Sequence, residues 1–422
     1  MNLVFHKKNL GFRENHLVYN FQTAKFETTN IIKDTDFIWG SETFETFMKL
    51  NGFDIPPFPS KKHLNTFKEV DGTILHSNIP WAFTMPPSSF KSHLKELVGS
   101  ISTSFQSFKE MEEYYRKYFL PLEEAFTWLE PVKIHNLAYK YWNSMATAGN
   151  HLDNVDNKKI LNSFSPNSSG FSEIPKYSRV DTKTGRMKVV SGPNILNLSA
   201  EKRNILTSRY GFDGRILSID FSALEPRVAL ALTGKSFKED VYLLFLKNTF
   251  KNIQEEKIQE ARNKMKHIIT SRIYGASLET LEEEIKYFTV DLEGFIEELD
   301  SFFYLKDLKI QLLSEWEANN RKYIKNHFGR KIDCSEAKPY ILPNYKFQSS
   351  AVDIALFGFK ELISQFKDLK LSVNPIFFIH DELLIDCHRD SLKSVKSIVS
   401  QGITNIPTLS NICFPLKLTK FF

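Results

Sequence analysis

Two short apolar runs that each end in acid constrain this chain more than any other feature. Ile216-Leu217-Ser218-Ile219 leads into Asp220, and Pro375-Ile376-Phe377-Phe378-Ile379 leads into His380-Asp381-Glu382, followed by a further apolar run, Leu383-Leu384-Ile385. Runs of this length, rich in β-branched and aromatic residues, read as buried strands. An Asp that closes a strand is ordinary turn chemistry, and His-Asp between two such runs is ordinary hairpin chemistry. Neither run needs an acid in order to fold, yet both deliver one to a strand end. Carboxylates bind hard cations, and two such ions about 3.5–4 Å apart stabilise the attacking and leaving oxygens of an in-line phosphoryl displacement. The pattern points to phosphoryl transfer on a nucleic acid.

The rest of the chain sets bounds. A length of 422 residues permits a large core with two or three subdomains. Fifty-five Lys and Arg against 50 Asp and Glu leave a net charge of only +5, so a nucleic-acid surface has to come from clustering of cations and not from bulk charge. Cys334, Cys387 and Cys413 are far apart in sequence, which argues against a zinc ribbon or a disulfide framework and favours a reduced, cytoplasmic setting. No basic-then-apolar leader opens the chain, and no apolar run approaches the roughly 18–20 residues that span a bilayer, so no membrane partner is expected.

The first 87 residues are mixed and aromatic-rich, punctuated by Pro56-Pro57-Phe58-Pro59 and Pro86-Pro87. From Ser88 the spacing turns helical, with Phe90, Leu94, Leu97 and Val98 on one face. The stretch 162–170 is crowded with turn formers and reads as a loop. A long helix-rich segment from about Phe237 to Ala355 then separates the two acidic strand ends, so the acids can meet only in the fold.

Within that segment Arg262, Lys266, Thr270 and Tyr274 follow at i, i+4 spacing in a run of helix formers from Asn252 to Tyr274, while Ala261, Met265, Ile269 and Ile273 form an adjacent apolar stripe. One face thus carries two cations and an aromatic ring. A triphosphate needs cations spaced along its length and a base needs a flat surface to stack on. A helix with such a face standing alone would ordinarily be a solvated basic surface.

Taken together, these segments resemble the family A DNA polymerases. Asp220-Phe221-Ser222-Ala223-Leu224-Glu225-Pro226-Arg227 resembles the family's first acidic motif, Arg262 to Gly275 its nucleotide-binding finger helix, and His380-Asp381-Glu382 its last motif. Gln348-Ser349-Ser350-Ala351-Val352-Asp353 resembles the segment before that motif, and Thr184-Gly185-Arg186 with Pro193-Asn194 the approach to the palm. The resemblance covers about residues 180 to 422, with five motifs in family order. It implies that Asp220 and Asp381 hold two Mg2+ ions, for which Mn2+ can substitute, and that Lys266 joins them as a catalytic group. By the same resemblance Arg262 and Lys266 neutralise the triphosphate, Thr270 lines the nucleotide pocket, Tyr274 lies near the nascent base pair, and His380 lies beside the primer end. Arg186, Asn194, Arg227, Asn344 and Gln348 are implied to touch primer-template DNA. Glu225 stands where the family has a carboxylate that excludes a ribose 2′-hydroxyl, so dNTPs are the expected substrates.

Four positions depart from the family pattern. Thr270 stands where Phe or Tyr is usual, Leu196 where a polar template contact is usual, Tyr340 where an arginine is expected, and Pro226 follows the gate residue. A proofreading exonuclease of this family begins with Asp-x-Glu. None precedes the helical segment, and Asp34-Thr35-Asp36 reads as a turn. Neither proofreading nor a 5′ nuclease is expected.

The expected architecture is an α+β right hand with an antiparallel-sheet palm: an N-terminal region over 1–87, a helical thumb over 88–178, palm over 179–236 and 346–422, and helical fingers over 237–345. The expected activity is template-directed extension of a DNA primer in replication or repair. A related RNA-synthesising enzyme and a catalytically weak primer-template scaffold are the competing readings. The C-terminal Leu418-Thr419-Lys420-Phe421-Phe422 has the apolar spacing of some processivity-clamp docking tails, whereas the alternation from Phe414 to Leu418 suits a closing palm strand.

Overall fold

The computed structural model describes residues 2–10, 14–53, 55, 86–102, 105–148, 153–250, 253–288 and 290–421. Pro56-Pro57-Phe58-Pro59, Asn252 and the terminal Phe422 lie outside them. The chain forms two compact units, residues 1–117 and 118–422. The division falls inside the segment expected as one helical thumb.

The first unit contains a four-stranded sheet of order β3-β2-β1-β4, formed by β1 (Asn2–Phe5), β2 (His16–Asn20), β3 (Lys25–Thr29) and β4 (Phe37–Ile38). The first three strands run antiparallel, and β4 joins β1 in parallel. Leu3, Val4 and Phe5 of the inner strand are fully buried. Helix α1 (Glu42–Leu50) starts where the Ser41 side chain accepts from the Phe44 N–H, and it buries Phe44, Phe47 and Met48. Phe47 stacks on Phe37 with ring centroids 4.6 Å apart. Helices α2 (Pro87–Ser102) and α3 (Phe105–Tyr114) follow, and α2 buries Phe90, Leu94, Leu97 and Val98 as their spacing predicts. Asp36 accepts from the Asn2 side chain and the Lys33 N–H, both at 3.0 Å, so the Asp34-Thr35-Asp36 segment is a turn.

After short helical turns over 118–128, the second unit contains a helix pair, α4 (Asn136–Ala148) and α5 (Asp153–Asn162), and a hairpin of β5 (Lys176–Ser178) and β6 (Lys188–Ser191). Strand β7 (Gly214–Phe221) leads into α6 (Leu224–Ala231). Helices α7 (Val241–Thr249), α8 (Ile258–Ile273), α9 (Leu278–Lys286), α10 (Leu292–Phe302) and α11 (Leu305–Ala318) come next. A hairpin of β8 (Tyr323–Lys325) and β9 (Lys331–Asp333) precedes the 27-residue α12 (Leu342–Asp368). The chain closes with β10 (Val373–Ile379), β11 (Glu382–His388), α13 (Leu392–Gln401) and β12 (Leu416–Lys420).

The central sheet has order β10-β11-β7-β12 and is antiparallel throughout, as expected for an α+β fold. Its apolar strands are buried: Ile219, Ile376, Phe377, Leu383, Leu384 and Ile385 are fully inaccessible. Helix α12 is buried along most of its length, polar residues Ser349, Ser350 and Asp353 included. These polar groups have partners. Arg179, almost wholly buried, pairs with Asp353, whose other oxygen accepts from Asn326 Nδ2 at 2.7 Å. Arg330 donates to the Arg179 carbonyl at 2.8 Å. Arg330 also lies under Gly185, which has φ +80°; a Cβ there would stand 2.8 Å from the guanidinium carbon. Glycine lets the chain pass over that arginine, and Arg186 follows directly.

Candidate active site

Sheet register brings the separated acids together. Asp220, near the end of β7, lies opposite Glu382 on β11 and opposite Lys417 on β12. Residues directly opposite in an antiparallel sheet share a face, so the three side chains stand side by side. His380 and Asp381 are the two residues of the β10–β11 turn, since Ile379 pairs with Glu382. The Phe221 N–H donates to the Asp381 carbonyl at 3.1 Å and ties that turn to β7. His380 has φ +54°, and Ala223, which caps α6 just after β7, has the same value. A non-glycine residue in the left-handed region is strained by about 1 kcal/mol or more and persists only where its surroundings fix it. Here both lie beside an acid.

Electrostatics sets this corner apart. Burial, reinforced by the negative charges of Asp381 and Glu382, pushes the Asp220 carboxyl up to about 7. Burial also raises Asp381 and Glu382 above the usual carboxylate range. Lys266 opposes the rise at both aspartates, which places its ammonium within electrostatic reach of them. His380 is held below its ordinary value by burial and by the nearby Arg186 charge, and its Nδ1 is buried with no hydrogen-bond partner.

A cavity of about 620 Å³ opens over these groups. Arg186, Asp220, Glu225, Arg227, Arg262, Lys266, Thr270, Tyr274, Gln348, His380 and Asp381 all line it, and so do Lys238, Asp240, Tyr242 and Lys417. Glu225 forms an ion pair with Arg186 at 3.5 Å and accepts a hydrogen bond from Tyr274. Burial nevertheless keeps the Glu225 carboxyl above its ordinary range. Tyr274 follows α8 and precedes Gly275, where φ is +92° and a Cβ would fall 2.3 Å from the Tyr340 carbonyl oxygen. Only glycine allows that approach, and it fixes how Tyr274 enters the cavity.

Other expected contacts are placed differently. Gln348 lines the cavity and accepts from the Thr184 hydroxyl at 2.6 Å. The Arg227 guanidinium is 5% exposed as a residue and donates to the carbonyls of Ser222, Phe237 and Glu239, which braces the turn after β7. Asn194 caps the short turn that follows it by accepting from Leu196 N–H, and it is not among the cavity-lining residues. Asn344 is outside them as well, with its Oδ1 buried and unpartnered. Asp240 and Tyr242 belong to the site but carried no motif. Asp240 before an apolar helical run is a legible N-cap, and it does accept from the N–H groups of Tyr242 and Leu243. Nothing local marks Tyr242 as facing a cavity.

The donor set fits a hard divalent cation. Two half-buried carboxylates, both raised by burial and Asp220 also by the Asp381 charge, would be relieved by such an ion, and magnesium is commonly held by one or two carboxylates, substrate phosphates and water. Among the described residues no group of three or more His, Cys, Asp or Glu could hold a metal. Asp220 and Asp381 would therefore share the ion with phosphate oxygens and water.

Residues 150–419 match the sequence profile of DNA polymerase family A. Among curated relatives, DNA polymerase I of Borreliella burgdorferi is 25% identical over 261 residues, covering 56% of this chain and 29% of that protein. DNA polymerase I of Thermus filiformis, a thermostable enzyme, is 23% identical over 54% of this chain and 30% of its own length. The DNA polymerase of Bacillus phage SP01 is 21% identical over 55% and 29%. The matched segment thus spans under a third of these relatives. Among solved structures, the POL domain of Pol1 from M. smegmatis, in complex with DNA primer-template and dNTP, aligns over 93% of this chain and 81% of its own, with a TM-score of 0.58 and 14% identity. That likeness concerns the fold, a polymerase right hand.

Proposed function

This chain belongs to DNA polymerase family A, and on that premise we propose that it extends a DNA primer on a template with dNTPs. The observation that carries the reading is the pair of strand-end acids, Asp220 and Asp381, opposed by Lys266 beneath one cavity. Segments 179–236 and 346–422 act as palm, 237–345 as fingers and the helices of 88–178 as thumb.

Asp220 and Asp381 would hold two Mg2+ ions, which supply activation of the primer 3′-hydroxyl and stabilisation of the departing pyrophosphate. Lys266 and Arg262 face the same cavity and neutralise the triphosphate along its length. Arg262 is paired with Asp240 at 2.7 Å, so it exchanges that carboxylate for phosphate when a nucleotide enters. Tyr274 forms the wall nearest the base, and Gly275 behind it allows the close approach to Tyr340. Glu225, held by Arg186 and Tyr274, occupies the floor where a 2′-hydroxyl would have to fit, and displacing it would break that ion pair and hydrogen bond. This supports dNTPs over rNTPs. Arg186 and Gln348 contact DNA from the cavity, whereas Arg227 acts as a brace. We place Asn194 and Asn344 on the DNA path outside the cavity.

Two further parts of the reading concern the ends of the chain. No Asp-x-Glu, the motif with which the family's exonuclease begins, occurs before the helices of the first unit, so we propose that this unit does not proofread. Leu416–Lys420 is paired with β7, and Phe421 packs on the core beneath the Arg203 guanidinium at 4.6 Å. A docking tail for a processivity factor would have to detach from the sheet, and we favour the closing strand.

The test is extension of a labelled primer on DNA template with Mg2+, with dNTPs and rNTPs supplied separately. Wild-type protein should extend with dNTPs alone, and Glu225→Ala should gain ribonucleotide extension. Ribonucleotide extension by the wild type would move the reading to an RNA-synthesising enzyme. Primer-template binding without extension would move it to a scaffold.

A further inference from the structure

The loop that brings Arg186 to the cavity rests on a second arginine, far from it in sequence. The loop joins β5 to β6 and closes on itself: the Thr182 hydroxyl donates to the Arg186 carbonyl at 2.7 Å, and the Gly185 N–H donates to the Thr182 carbonyl at 3.2 Å. Thr184 ties it to α12 through Gln348. Beneath it lies Arg330, 3% exposed, at the end of the turn between β8 and β9. That turn is itself fixed. The Asn326 N–H donates to the Arg330 carbonyl and the Arg330 N–H to Asn326 Oδ1, both at 2.9 Å, while Asn326 Nδ2 is held by Asp353 of α12. Arg330 Nη2 donates to the Arg179 carbonyl at the root of the loop, whereas its Nε and Nη1 have no hydrogen-bond partner among the described residues. The guanidinium instead forms a flat floor under Gly185, so near that a Cβ there would stand 2.8 Å from its central carbon.

Resting on the polymerase reading, we propose that Arg330 is a positioning residue: it fixes the backbone that carries Arg186 and, through Arg186, the Glu225 carboxylate that selects the sugar. A buried guanidinium with most of its donors unused is destabilising, and an apolar side chain would fill the same space without that penalty. An apolar side chain could not do what this group does, which is to bond the root of the loop and lie flat under its tip, so that one rigid plane sets the distance between them. Glycine with φ +80° is the residue that can lie on such a plane, and Arg186 comes next in the chain. The Arg186–Glu225 pair spans 3.5 Å, longer than the roughly 2.7–2.9 Å of a tight charge-assisted hydrogen bond. A shift of the loop by about 1 Å is therefore enough to part them, and errors of that size at a reacting site are felt strongly.

The test is a double-variant cycle read as sugar selectivity. Arg330→Met keeps the bulk and removes the planar donor; the preference for dNTP over rNTP, taken as a ratio of kcat/KM values, should fall about 10-fold. Arg186→Ala should lower it by a similar factor, and the double variant no further than Arg186→Ala alone. An arginine that only stabilised the fold would lower extension with both sugars together and leave the ratio where it was. Arg330→Lys guards against misfolding of the Met variant: it keeps the charge and a donor for the Arg179 carbonyl but not the plane, and should lose about threefold in the same ratio. Melting temperatures establish that each variant is folded. An unchanged ratio in a folded Arg330 variant, or losses that multiply in the double variant, would overturn the inference. Equilibrium titration with a labelled primer-template, which Arg186 is proposed to contact, runs the same cycle without turnover, and Arg330→Met should weaken binding about threefold only while Arg186 is present. If that coupling appears and the wild type extends no primer, the polymerase reading fails and this inference stands; extension by the wild type with multiplying losses has the opposite meaning.

Discussion

Two clusters of buried charge in the second unit are built on opposite principles. Around α12, Arg179 faces Asp353, Asn326 donates to the same carboxylate, and Arg330 reaches the Arg179 carbonyl. At the ends of β7 and β11, Asp220 and Glu382 pair across the sheet beside Asp381 of the turn; burial raises the pKa of all three, and the Asp381 charge adds to the rise at the other two. The first cluster brings opposite charges together to complete a fold. The second gathers like charges, which destabilises the protein by itself and is relieved by a cation from outside. The difference separates a charge that holds structure from a charge that waits for a ligand.

The largest effect that can break this comparison is on activity. Removing either Asp220 or Asp381 as Ala should lower primer extension by about 10³-fold or more, since several kcal/mol of charge stabilisation are lost at the reacting phosphorus. Residual extension near wild-type rate would mean that the like-charge cluster is not the reaction centre.

Next comes stability, where the two clusters should respond with opposite sign. Asp353→Ala takes one carboxylate from the buried Arg179, which keeps Glu123 at 3.3 Å, and should cost about 3 kcal/mol, measurable by urea unfolding. Asp220→Asn removes a repelled charge and should raise the melting temperature of metal-free protein at pH 8. A fall in both would place the two clusters in one class.

The pH dependence sharpens the same contrast. The Asp220 carboxyl is raised in the folded protein from an ordinary value near 4 to about 7, so between these limits the unfolded chain has released a proton that the folded one retains. Stability without metal should therefore be highest below about pH 4 with respect to this group, decline as pH rises through that window, and level off above about 7. Saturating Mg2+ should flatten the decline. A chelator titration of Tm at pH 5 and pH 8 checks the sign.

The smallest expected effect concerns backbone fit. Gly275→Ala puts a Cβ against the Tyr340 carbonyl and forces a residue with a strained φ, so Tyr274 should shift and the dNTP KM rise by about 10-fold, with global stability falling by only about 1–2 kcal/mol.

Much of the chemistry was legible because it rides on strong local patterns. The acids follow continuous apolar runs, and Arg262 to Tyr274 follow helical spacing, so strand ends and helix face could both be read from residue order. The helix itself begins at Ile258, later than the run of helix formers suggests. Harder to see were features whose signal is nonlocal. The sheet of the first unit uses strands of two to five residues, too short for any period to show, and its parallel β1–β4 pair joins residues more than thirty apart. Tyr242 is an ordinary aromatic on an apolar helix until α8 packs beside it. Arg227 sits inside a motif that points to DNA, and only the tertiary structure shows its donors turned to the carbonyls of Ser222, Phe237 and Glu239.

The most direct measurement pairs two readouts on one variant, Asp381→Asn: primer extension with Mg2+ and dNTPs, and melting temperature in chelator at pH 8. Loss of extension together with a melting temperature at or above that of the wild type is the predicted result, because the carboxylate serves the reaction at the expense of the fold. Retained extension, or lost extension with a protein that melts well below the wild type, would contradict the account.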